Sequence, residues 1–262
     1  MPDCLIEQSV TTAVYSLPIT QGWLEPANTY ILERRLTAEA VRSRGLPALL
    51  GAVEAARLAD EFVVLADVAL VSQHNSSVAM QTSERPDALD QVSVGLDDVS
   101  LTAEALARAT VTAFYGISVT AWSRDSAHGS IMVIEDAAAL AQPLSERLHD
   151  LGRAWFILTS LPFPSHVLVV PRRMVADQGE ALRRLVTELH AAREAAMARQ
   201  EELLEQIVRE HALNRERVNA LLADQAHRLT QRARMGWREL LHRTGRDLGV
   251  PGLDRVEIVS LS

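Results

Sequence analysis

Short apolar runs separated by polar turns dominate the first two thirds of this chain of 262 residues. The runs are rich in Val, Ile and Leu and are too short for helices, which is the pattern of buried strands. The predicted strands are residues 29–32, 62–65, 68–71, 78–80, 92–96, 117–122, 131–134 and 167–170. Residues 13–15 form a further run, which we expect to end at the turn Leu17-Pro18.

Helical periodicity separates several of these runs. Thr37 is placed to cap helical segments that extend to about Leu58. Residues 100–102 open a helix over residues 103–115, which stops at Gly116. The other helices predicted in this part of the chain are residues 136–140 and 150–159. Because strands alternate with helices, the pattern predicts an α/β fold with a parallel sheet and crossover helices.

The amino-acid composition changes after Pro171. Residues 175–245 are almost free of Gly and Pro and are rich in Ala, Leu, Glu, Gln and Arg. Asn214 interrupts this region and restarts a helix as an N-cap, and a last helix ends at Gly245. An oligomerisation stalk is one interpretation, but no strict heptad persists through the break at Asn214. We expect helices that pack on one lobe of the fold. The oligomeric state stays open.

The charge balance restricts the partners. The formal net charge of −8 argues against nucleic acid, because nucleic-acid binding needs a cationic surface. A small anionic carboxylate remains a suitable partner, since local Arg residues and helix N-termini bind anions even in an acidic protein. All 26 basic residues are Arg. The absence of Lys excludes Schiff-base catalysis, a pyridoxal phosphate anchor and a Walker A loop.

The Cys and His content predicts no metal site. Cys4 is the only cysteine, which excludes an intrachain disulfide and a Cys-rich zinc site. The eight His are scattered without the spacing of metal ligands, and no other cofactor motif is present. No secretory signal is visible, and no apolar run approaches the roughly 20 residues that cross a bilayer. We therefore expect a cytoplasmic protein without a membrane partner.

Polar clusters follow several predicted strands, where an open α/β sheet gathers its ligand contacts. Tyr15 precedes the Leu17-Pro18 turn, although packing at a strand edge would explain Tyr15 equally well. Residues 73–77 form a polar loop that contains His74 and Ser77, and an ordinary exposed loop is the alternative. His74 is a speculative candidate for an acid or base, because a single loop His is usually just exposed.

Two further clusters lie at predicted helix starts. Ser100 and Thr102 place hydroxyls beside free backbone N–H groups, which favours a bound carboxylate or phosphate. Simple N-capping without a ligand is the alternative. Asp136 begins the next helix, and together with the stretch that begins at Thr159 it could close a cleft.

Residues 150–173 read DLGRAWFILTSLPFPSHVLVVPRR, a helix followed by a proline turn, a buried strand and a basic pair. In its residues and in the order of its elements, this segment resembles the chorismate dehydratases of the futalosine route to menaquinone. The resemblance extends over nearly the whole chain. It implies a two-lobed, periplasmic-binding-protein-like fold of type 2 with a helical C-terminal region. Lobe 1 would comprise residues 1–92 and 168–262, and lobe 2 residues 93–167.

The resemblance also implies roles for the site residues. Ser100 and Thr102 match a Ser-x-Thr that binds a substrate carboxylate in this family, and Ser77 matches another family serine. Asp136 matches the Asp of a Gly-Asp-Ala-Ala turn. Tyr15 stands where the family has a substrate-contacting Asn, and a phenol does not replace both the donor and the acceptor of an amide.

The framework motifs are better retained than those of the pocket. Thr159 belongs to the retained framework, whereas residues 73–75 replace Gly-Pro-Val and Ser160 replaces a Gly. The segment 164–168 replaces a Phe-Ala-Val-Trp pattern that is expected to line the pocket. This combination fits either a divergent dehydratase or a paralogue that kept the fold and changed its ligand.

As an enzyme, a chain of this resemblance would be a hydro-lyase that converts chorismate to 3-[(1-carboxyvinyl)oxy]benzoate and water. It would act by holding two carboxylates and orienting the reacting C–H bond. The proton acceptor is not identified, and the substrate's own carboxylate is one candidate. As a binding protein, the same cleft would hold a small carboxylate without chemistry. In a third interpretation, the C-terminal helices are an interaction surface on a degenerate enzyme.

Overall fold

The computed structural model describes residues 3–124 and 130–261. The strands are β1 Cys4–Glu7, β2 Tyr30–Glu33, β3 Ala48–Gly51, β4 Phe62–Ser72, β5 Val78–Thr82, β6 Gln91–Gly95, β7 Ser118–Ser123, β8 Ile131–Glu135, β9 Leu148–Asp150, β10 Phe163–Pro171, β11 Gln225–Ala226 and β12 Ile258–Val259. The helices are α1 Ala13–Thr20, α2 Ala38–Arg44, α3 Ala52–Ala56, α4 Leu101–Tyr115, α5 Asp136–Leu140, α6 Leu151–Thr159, α7 Arg172–Asp177, α8 Gly179–Ala198, α9 Gln200–His211, α10 Arg215–Asp224 and α11 Gln231–Leu248. Short 3₁₀ turns lie at Pro86–Ala88 and Leu253–Arg255.

The described strands form a larger and a smaller sheet, and both are mixed. The larger sheet has the order β11-β4-β10-β3-β1-β2, with β12 paired to β4. In it β1 runs parallel to β2 and β3, whereas β10 runs antiparallel to β3 and β4. The smaller sheet has the order β7-β6-β8-β5-β9, with β5 antiparallel to both of its neighbours. The predicted parallel pairing is therefore confirmed for β1 with β2 and β3 and for β6 with β7 and β8, and it was wrong for β10 and β5, which run antiparallel to their neighbours.

Two local predictions near the N-terminus were also wrong. Residues 13–15 begin helix α1 instead of a strand, and this helix continues through Pro18. Such a short apolar run cannot be assigned from its periodicity alone. The helical segments predicted from Thr37 to about Leu58 are present as α2 and α3, but the first ends at Gly45 in a left-handed conformation, and Leu49 and Leu50 belong to the buried strand β3 between them. Their spacing imitates a helical face, although both side chains lie in a sheet.

Several other predictions are confirmed because their signals are local. Ser100 caps α4 by accepting a hydrogen bond from Ala103 N–H, and the helix ends at Gly116. The helix predicted over residues 150–159 is α6, which Asp150 caps, and Asn214 caps α10 as predicted. Each of these side chains satisfies a backbone donor that the first turn of a helix leaves free. The two runs predicted over residues 62–71 form one continuous strand, β4.

The chain passes from the larger to the smaller sheet at residues 73–77 and returns at residues 160–162. The strands of the smaller sheet begin at Val78 and end at Asp150. The lobe boundaries at 92/93 and 167/168 remain a sequence-based prediction.

The C-terminal helices pack against both lobes. Helix α8 packs on α1, and α11 packs on β10 and on α4 beside the smaller sheet. Trp155 of α6 and Trp237 of α11 are both fully buried in the same apolar cluster. No helix within residues 3–124 and 130–261 is both long and apolar enough to span a membrane.

The C-terminal helices also hold both crossings between the sheets. At the first crossing, Asp224 Oδ2 at the end of α10 accepts the N–H groups of Gln73, His74 and Asn75 at 2.8, 2.6 and 2.9 Å. At the second crossing, Arg232 of α11 donates to the carbonyl of Ser160 at 2.7 Å.

Gly236 of α11 lies directly on the second crossing. A Cβ atom at this position would collide with the carbonyl oxygen of Pro162. The close approach of α11 to the main chain at Pro162 therefore requires glycine at position 236.

Candidate functional site

A cleft of about 490 Å³ lies between the two sheets. The segments that follow β1, β2, β6 and β8 all contribute to its walls, together with β10 and the end of α9. This volume falls within the range of small-molecule sites, and strand ends are the usual place for ligand contacts in α/β proteins. The cleft is therefore the candidate site.

Glu7, the last residue of β1, faces the cleft beside His166 of β10. Glu7 Oε2 accepts the N–H of Gly51 at 3.1 Å. Burial raises the pKa of Glu7 to about 8, the negative charge of Glu135 adds to this rise, and the Gly51 hydrogen bond and Arg35 oppose it. Burial likewise lowers the pKa of His166 to about 4.

Glu7 and His166 form a neutral acid–base pair. His166 Nε2 lies 4.0 Å from Glu7 Oε2, a separation that would suit an ion pair. The directions of the two pKa shifts oppose ionisation, however, so at pH 7 the carboxyl is mostly protonated and the imidazole is uncharged. His166 Nδ1 is 3.2 Å from the hydroxyl of Ser165. A buried carboxyl group whose pKa lies near the working pH, as that of Glu7 does, is typical of proton transfer.

The carboxylate of Glu135 occupies the donors at the start of α4. Ser100 donates its N–H to Oε1 at 2.8 Å and its hydroxyl to Oε2 at 2.7 Å. Arg35 lies just after β2, and its Nη2 donates to Oε1 of Glu135 at 2.9 Å. Burial raises the pKa of Glu135, while the Ser100 hydroxyl and Arg35 act in the opposite direction. The donors that the sequence assigned to a ligand carboxylate therefore hold a carboxylate of the chain itself.

Asp136 bridges the two lobes next to Glu135. Its Oδ1 accepts the N–H of Val10 at 2.6 Å, and its own N–H donates to the carbonyl of Ser77 at 2.6 Å. Asp136 has a φ of 55°, a left-handed conformation that is costly for a residue other than Gly. The Ser77 hydroxyl lies 2.8 Å from that of Thr11. The turn is thus held by contacts from both sides of the cleft.

Two arginines reach across the mouth of the cleft. Arg34 pairs with Asp98 at 2.5 Å, and Arg35 Nη2 donates to the Asp98 carbonyl at 2.7 Å. Asp98 also has a left-handed backbone, with a φ of 49°. Because Arg34 and Arg35 are engaged by carboxylates of the chain, neither is an unoccupied anion site.

The predicted site residues divide into two groups. Ser77, Ser100 and Asp136 line the cleft. Within the described part of the chain, the cleft lining does not include Tyr15, His74, Thr102 or Thr159. The role of His74 as an acid or base and the ligand-binding roles of the other six residues remain predictions.

Local structure explains where the other four lie. Tyr15 is fully buried in α1, with its ring 6.0 Å from that of His227. The Thr102 hydroxyl accepts the N–H of Val53 at 3.1 Å in the interior. The Thr159 hydroxyl donates to the carbonyl of Trp155 at 2.8 Å at the end of α6. His74 is half exposed, and its Nδ1 lies 3.2 Å from Asp224 Oδ1.

Three further side chains line the cleft without having been predicted as site residues: Glu7, Arg35 and Glu135. A signal for Glu7 was present, because an acidic residue ends the apolar run Cys4-Leu5-Ile6. That run was not recognised as strand β1. The partners of Glu135 carried no sequence signal, since Arg35 and Ser100 meet it only in the tertiary structure.

A wider, open depression of about 920 Å³ lies on the larger lobe, away from the strand ends that surround the cleft. Its arginines are paired with neighbouring carboxylates: Arg42 with Glu61, Arg57 with Glu54 and Arg255 with Asp60. It has the character of a salt-bridged surface. Among the described residues, no group of three or more His, Cys, Asp or Glu is arranged to hold a metal ion.

Comparisons with known proteins agree with this architecture. A family model for menaquinone biosynthesis matches residues 35–246. Protein AF1704 from Archaeoglobus fulgidus is structurally similar, with a TM-score of 0.71, 13% identity and coverage of 95% of this chain and 98% of that one. The alkanesulfonate-binding protein SsuA from Xanthomonas axonopodis pv. citri, bound to MOPS, has a TM-score of 0.70 and 12% identity, with 99% of each chain covered.

The description of a third similar structure states which fold it has. The Candida albicans CA3427 gene product, described as having the generic periplasmic binding protein fold, has a TM-score of 0.60, 9% identity and coverage of 94% of each chain. The described chain thus has the periplasmic-binding-protein fold with a helical C-terminal region. A search of curated proteins by sequence gave no match.

Proposed function

Because the chain belongs to the menaquinone biosynthesis family, we propose that it is a carbon–oxygen lyase of the chorismate dehydratase type. The substrate would be chorismate, bound in the cleft between the lobes. The products would be 3-[(1-carboxyvinyl)oxy]benzoate and water. The cleft volume of about 490 Å³ is adequate for a ligand of this size.

The observation that carries the proposal is the Glu7 carboxyl in the wall of this cleft. In its ionised form, Glu7 takes the proton from C3 of the substrate. The electron pair of that C–H bond forms the new ring double bond while the C4–O bond breaks. The carboxylic acid formed on Glu7 then gives the proton to the departing hydroxide, which leaves as water. Glu7 returns to its ionised state, and the new aromatic ring supplies the driving force.

The surroundings of Glu7 suit this role. A general base is most effective when its pKa lies near the working pH, and the pKa of Glu7 is about 8. Uncharged His166 at 4.0 Å adds no positive charge that would weaken the base. The Gly51 N–H holds the carboxyl in position. The remaining task of the cleft is to orient the substrate.

A second candidate is a binding protein that holds a small carboxylate without converting it. It is favoured by the occupation of Ser100 and Arg35 by Glu135, which leaves fewer donors for a dianionic substrate. Among the structural neighbours, SsuA is an alkanesulfonate-binding protein.

The test is incubation of the purified protein with chorismate, followed by chromatography and mass spectrometry. The lyase proposal requires a product that has lost one water, and the role of Glu7 as the base requires that Glu7→Gln form this product at least roughly 10²-fold more slowly than the wild type. Unchanged chorismate together with a raised melting temperature would favour the binding protein instead, because a ligand stabilises the state that binds it. Unchanged chorismate without stabilisation would contradict both.

A further inference from the structure

The Glu135 carboxylate is bound by donors that converge from both lobes. Ser100 of the smaller lobe supplies a main-chain N–H at 2.8 Å and a hydroxyl at 2.7 Å, one for each carboxylate oxygen. Arg35 of the larger lobe supplies a guanidinium N–H at 2.9 Å. A guanidinium, a hydroxyl and a main-chain N–H together are a donor set well suited to a free carboxylate ligand.

These donors are fixed independently of Glu135. The Ser100 hydroxyl oxygen also accepts the N–H of Ala103 at 3.1 Å, which ties Ser100 to the start of α4. The same guanidinium nitrogen of Arg35 donates to the carbonyl of Asp98 at 2.7 Å. Both groups therefore keep their orientation when the Glu135 side chain rotates away.

The Glu135 carboxylate lies inside the cleft, where it competes with any ligand anion. Its side chain is 16% exposed, and it lines the same cleft as Ser100, Arg35 and Glu7. A second carboxylate cannot share the three donors, because two anions at contact in a poorly solvated site repel strongly. A ligand carboxylate reaches these donors only after Glu135 has left them.

We propose that Glu135 is an internal occupant of a carboxylate subsite formed by Ser100 and Arg35, and that a carboxylate ligand binds by displacing it. This inference rests on the proposed function in so far as a small carboxylate is the ligand of the cleft. Glu135 then acts as a specificity residue. The apparent affinity of the protein for a carboxylate ligand is its intrinsic affinity multiplied by the fraction of time for which Glu135 leaves the subsite empty. Ligands that cannot replace it at all three donors are excluded.

The first experiment uses acetate as the smallest carboxylate probe and the variant Glu135→Ala. The melting temperature is measured against acetate concentration, with sodium chloride added to keep the ionic strength constant. Acetate is expected to stabilise Glu135→Ala, to stabilise the wild type only at about tenfold higher concentration, and to lose its effect in Ser100→Ala/Glu135→Ala. An equal response of wild type and Glu135→Ala would overturn the proposal, and so would no response in a folded Glu135→Ala.

The second experiment measures chorismate binding by calorimetry. If Glu135 fills the subsite for about 90% of the time, Glu135→Ala and Glu135→Gln bind chorismate about tenfold more tightly than the wild type. Asp97→Asn is the matched control, since Asp97 lines the same cleft and its replacement removes one negative charge without touching Ser100. An equal gain in Asp97→Asn would mean that charge alone explains the effect and would overturn the proposal.

The two experiments separate this inference from the proposed function. If acetate behaves as expected while chorismate is neither bound nor converted, the lyase proposal fails and the internal occupancy of the subsite stands. If the wild type dehydrates chorismate but Glu135→Ala gains no affinity and no acetate response, the occupancy fails and the lyase stands. Glu135→Gln keeps the shape of the side chain, so it provides the affinity test even where Glu135→Ala folds poorly.

Discussion

Glu7 Oε2 and His166 Nε2 lie 4.0 Å apart in the wall of the cleft, and both groups are uncharged at neutral pH. The pairing joins β1 to β10, which are separated in the larger sheet by β3. The N–H of Gly51, at the end of β3, binds the same carboxylate oxygen of Glu7. The carboxyl group of β1 is thus held by a hydrogen bond from β3 and lies beside an imidazole of β10.

The first prediction concerns the pH dependence of turnover. If ionised Glu7 is the base, kcat/KM for chorismate rises with pH and levels off above the pKa of about 8. Glu7→Gln is expected to lower kcat by roughly 10²- to 10⁴-fold, the usual contribution of a general base. A Glu7→Gln protein with wild-type rate and profile would contradict the role of Glu7 as the base, and the substrate's own carboxylate would remain a candidate.

The second prediction is that the Glu7 carboxyl lowers the free energy of unfolding at alkaline pH. Its pKa is raised from 4.5 to about 8 in the folded protein, so between these values the unfolded chain loses a proton that the folded chain retains. The contribution of Glu7 to folding is therefore fully present below pH 4.5 and is lost as the pH rises through 8. Across this window the unfolding free energy falls by up to about 1.4 kcal/mol per pH unit from this group.

Glu7→Gln should remove that slope while keeping an acceptor for Gly51 N–H. Chemical denaturation of both proteins at acid and at alkaline pH provides the comparison. The variant is expected to be the more stable protein at alkaline pH and to resemble the wild type below the window. The same pH slope in both proteins would contradict a raised pKa at Glu7.

The third prediction concerns the close approach of α11 to the second crossing. Gly236→Ala should destabilise the protein by roughly 1–3 kcal/mol or more, because the new methyl group meets the main-chain oxygen of Pro162. Gly179→Ala is the control, since a Cβ there has no atom within 4 Å. That control should be neutral or stabilising by up to about 1 kcal/mol. Equal urea midpoints for the two variants would contradict the prediction.

The fourth prediction separates Asp224 from His74 at the first crossing. Asp224→Ala leaves three backbone N–H groups without their acceptor and should cost about 1–3 kcal/mol of unfolding free energy. His74→Ala should change stability by no more than about 0.5 kcal/mol, as usual for exposed positions, and should retain turnover. Loss of turnover in a stable His74→Ala protein would restore His74 as a candidate acid or base.

The sequence predicts best what depends on neighbouring residues. The N-caps Thr37, Ser100, Asp150 and Asn214 are recognisable because the capping side chain and the backbone donor it binds lie three residues apart. Strand order is different, because a strand carries no local record of its partner. The antiparallel return of β10 between β3 and β4 therefore could not be derived from an alternation of strands and helices.

The same distinction applies to the site. Ser77, Ser100 and Asp136 were found because they follow strands or open helices, and such positions gather at the cleft. The contact between Ser100 and Glu135 spans 35 positions and depends on how β6 and β8 are placed in the smaller sheet. Residue type and spacing indicate that Ser100 can bind a carboxylate. They do not indicate whose carboxylate it is.

The two crossings between the sheets have a common support in the last third of the chain. Asp224 binds the first crossing, and Arg232 and Gly236 of α11 bind or contact the second. The C-terminal helices therefore brace both crossings. If a ligand enters only when the two sheets move apart, we expect that movement to strain these contacts. Substitutions at Asp224, Arg232 or Gly236 would then change the rates of ligand entry and release without altering any residue of the cleft lining.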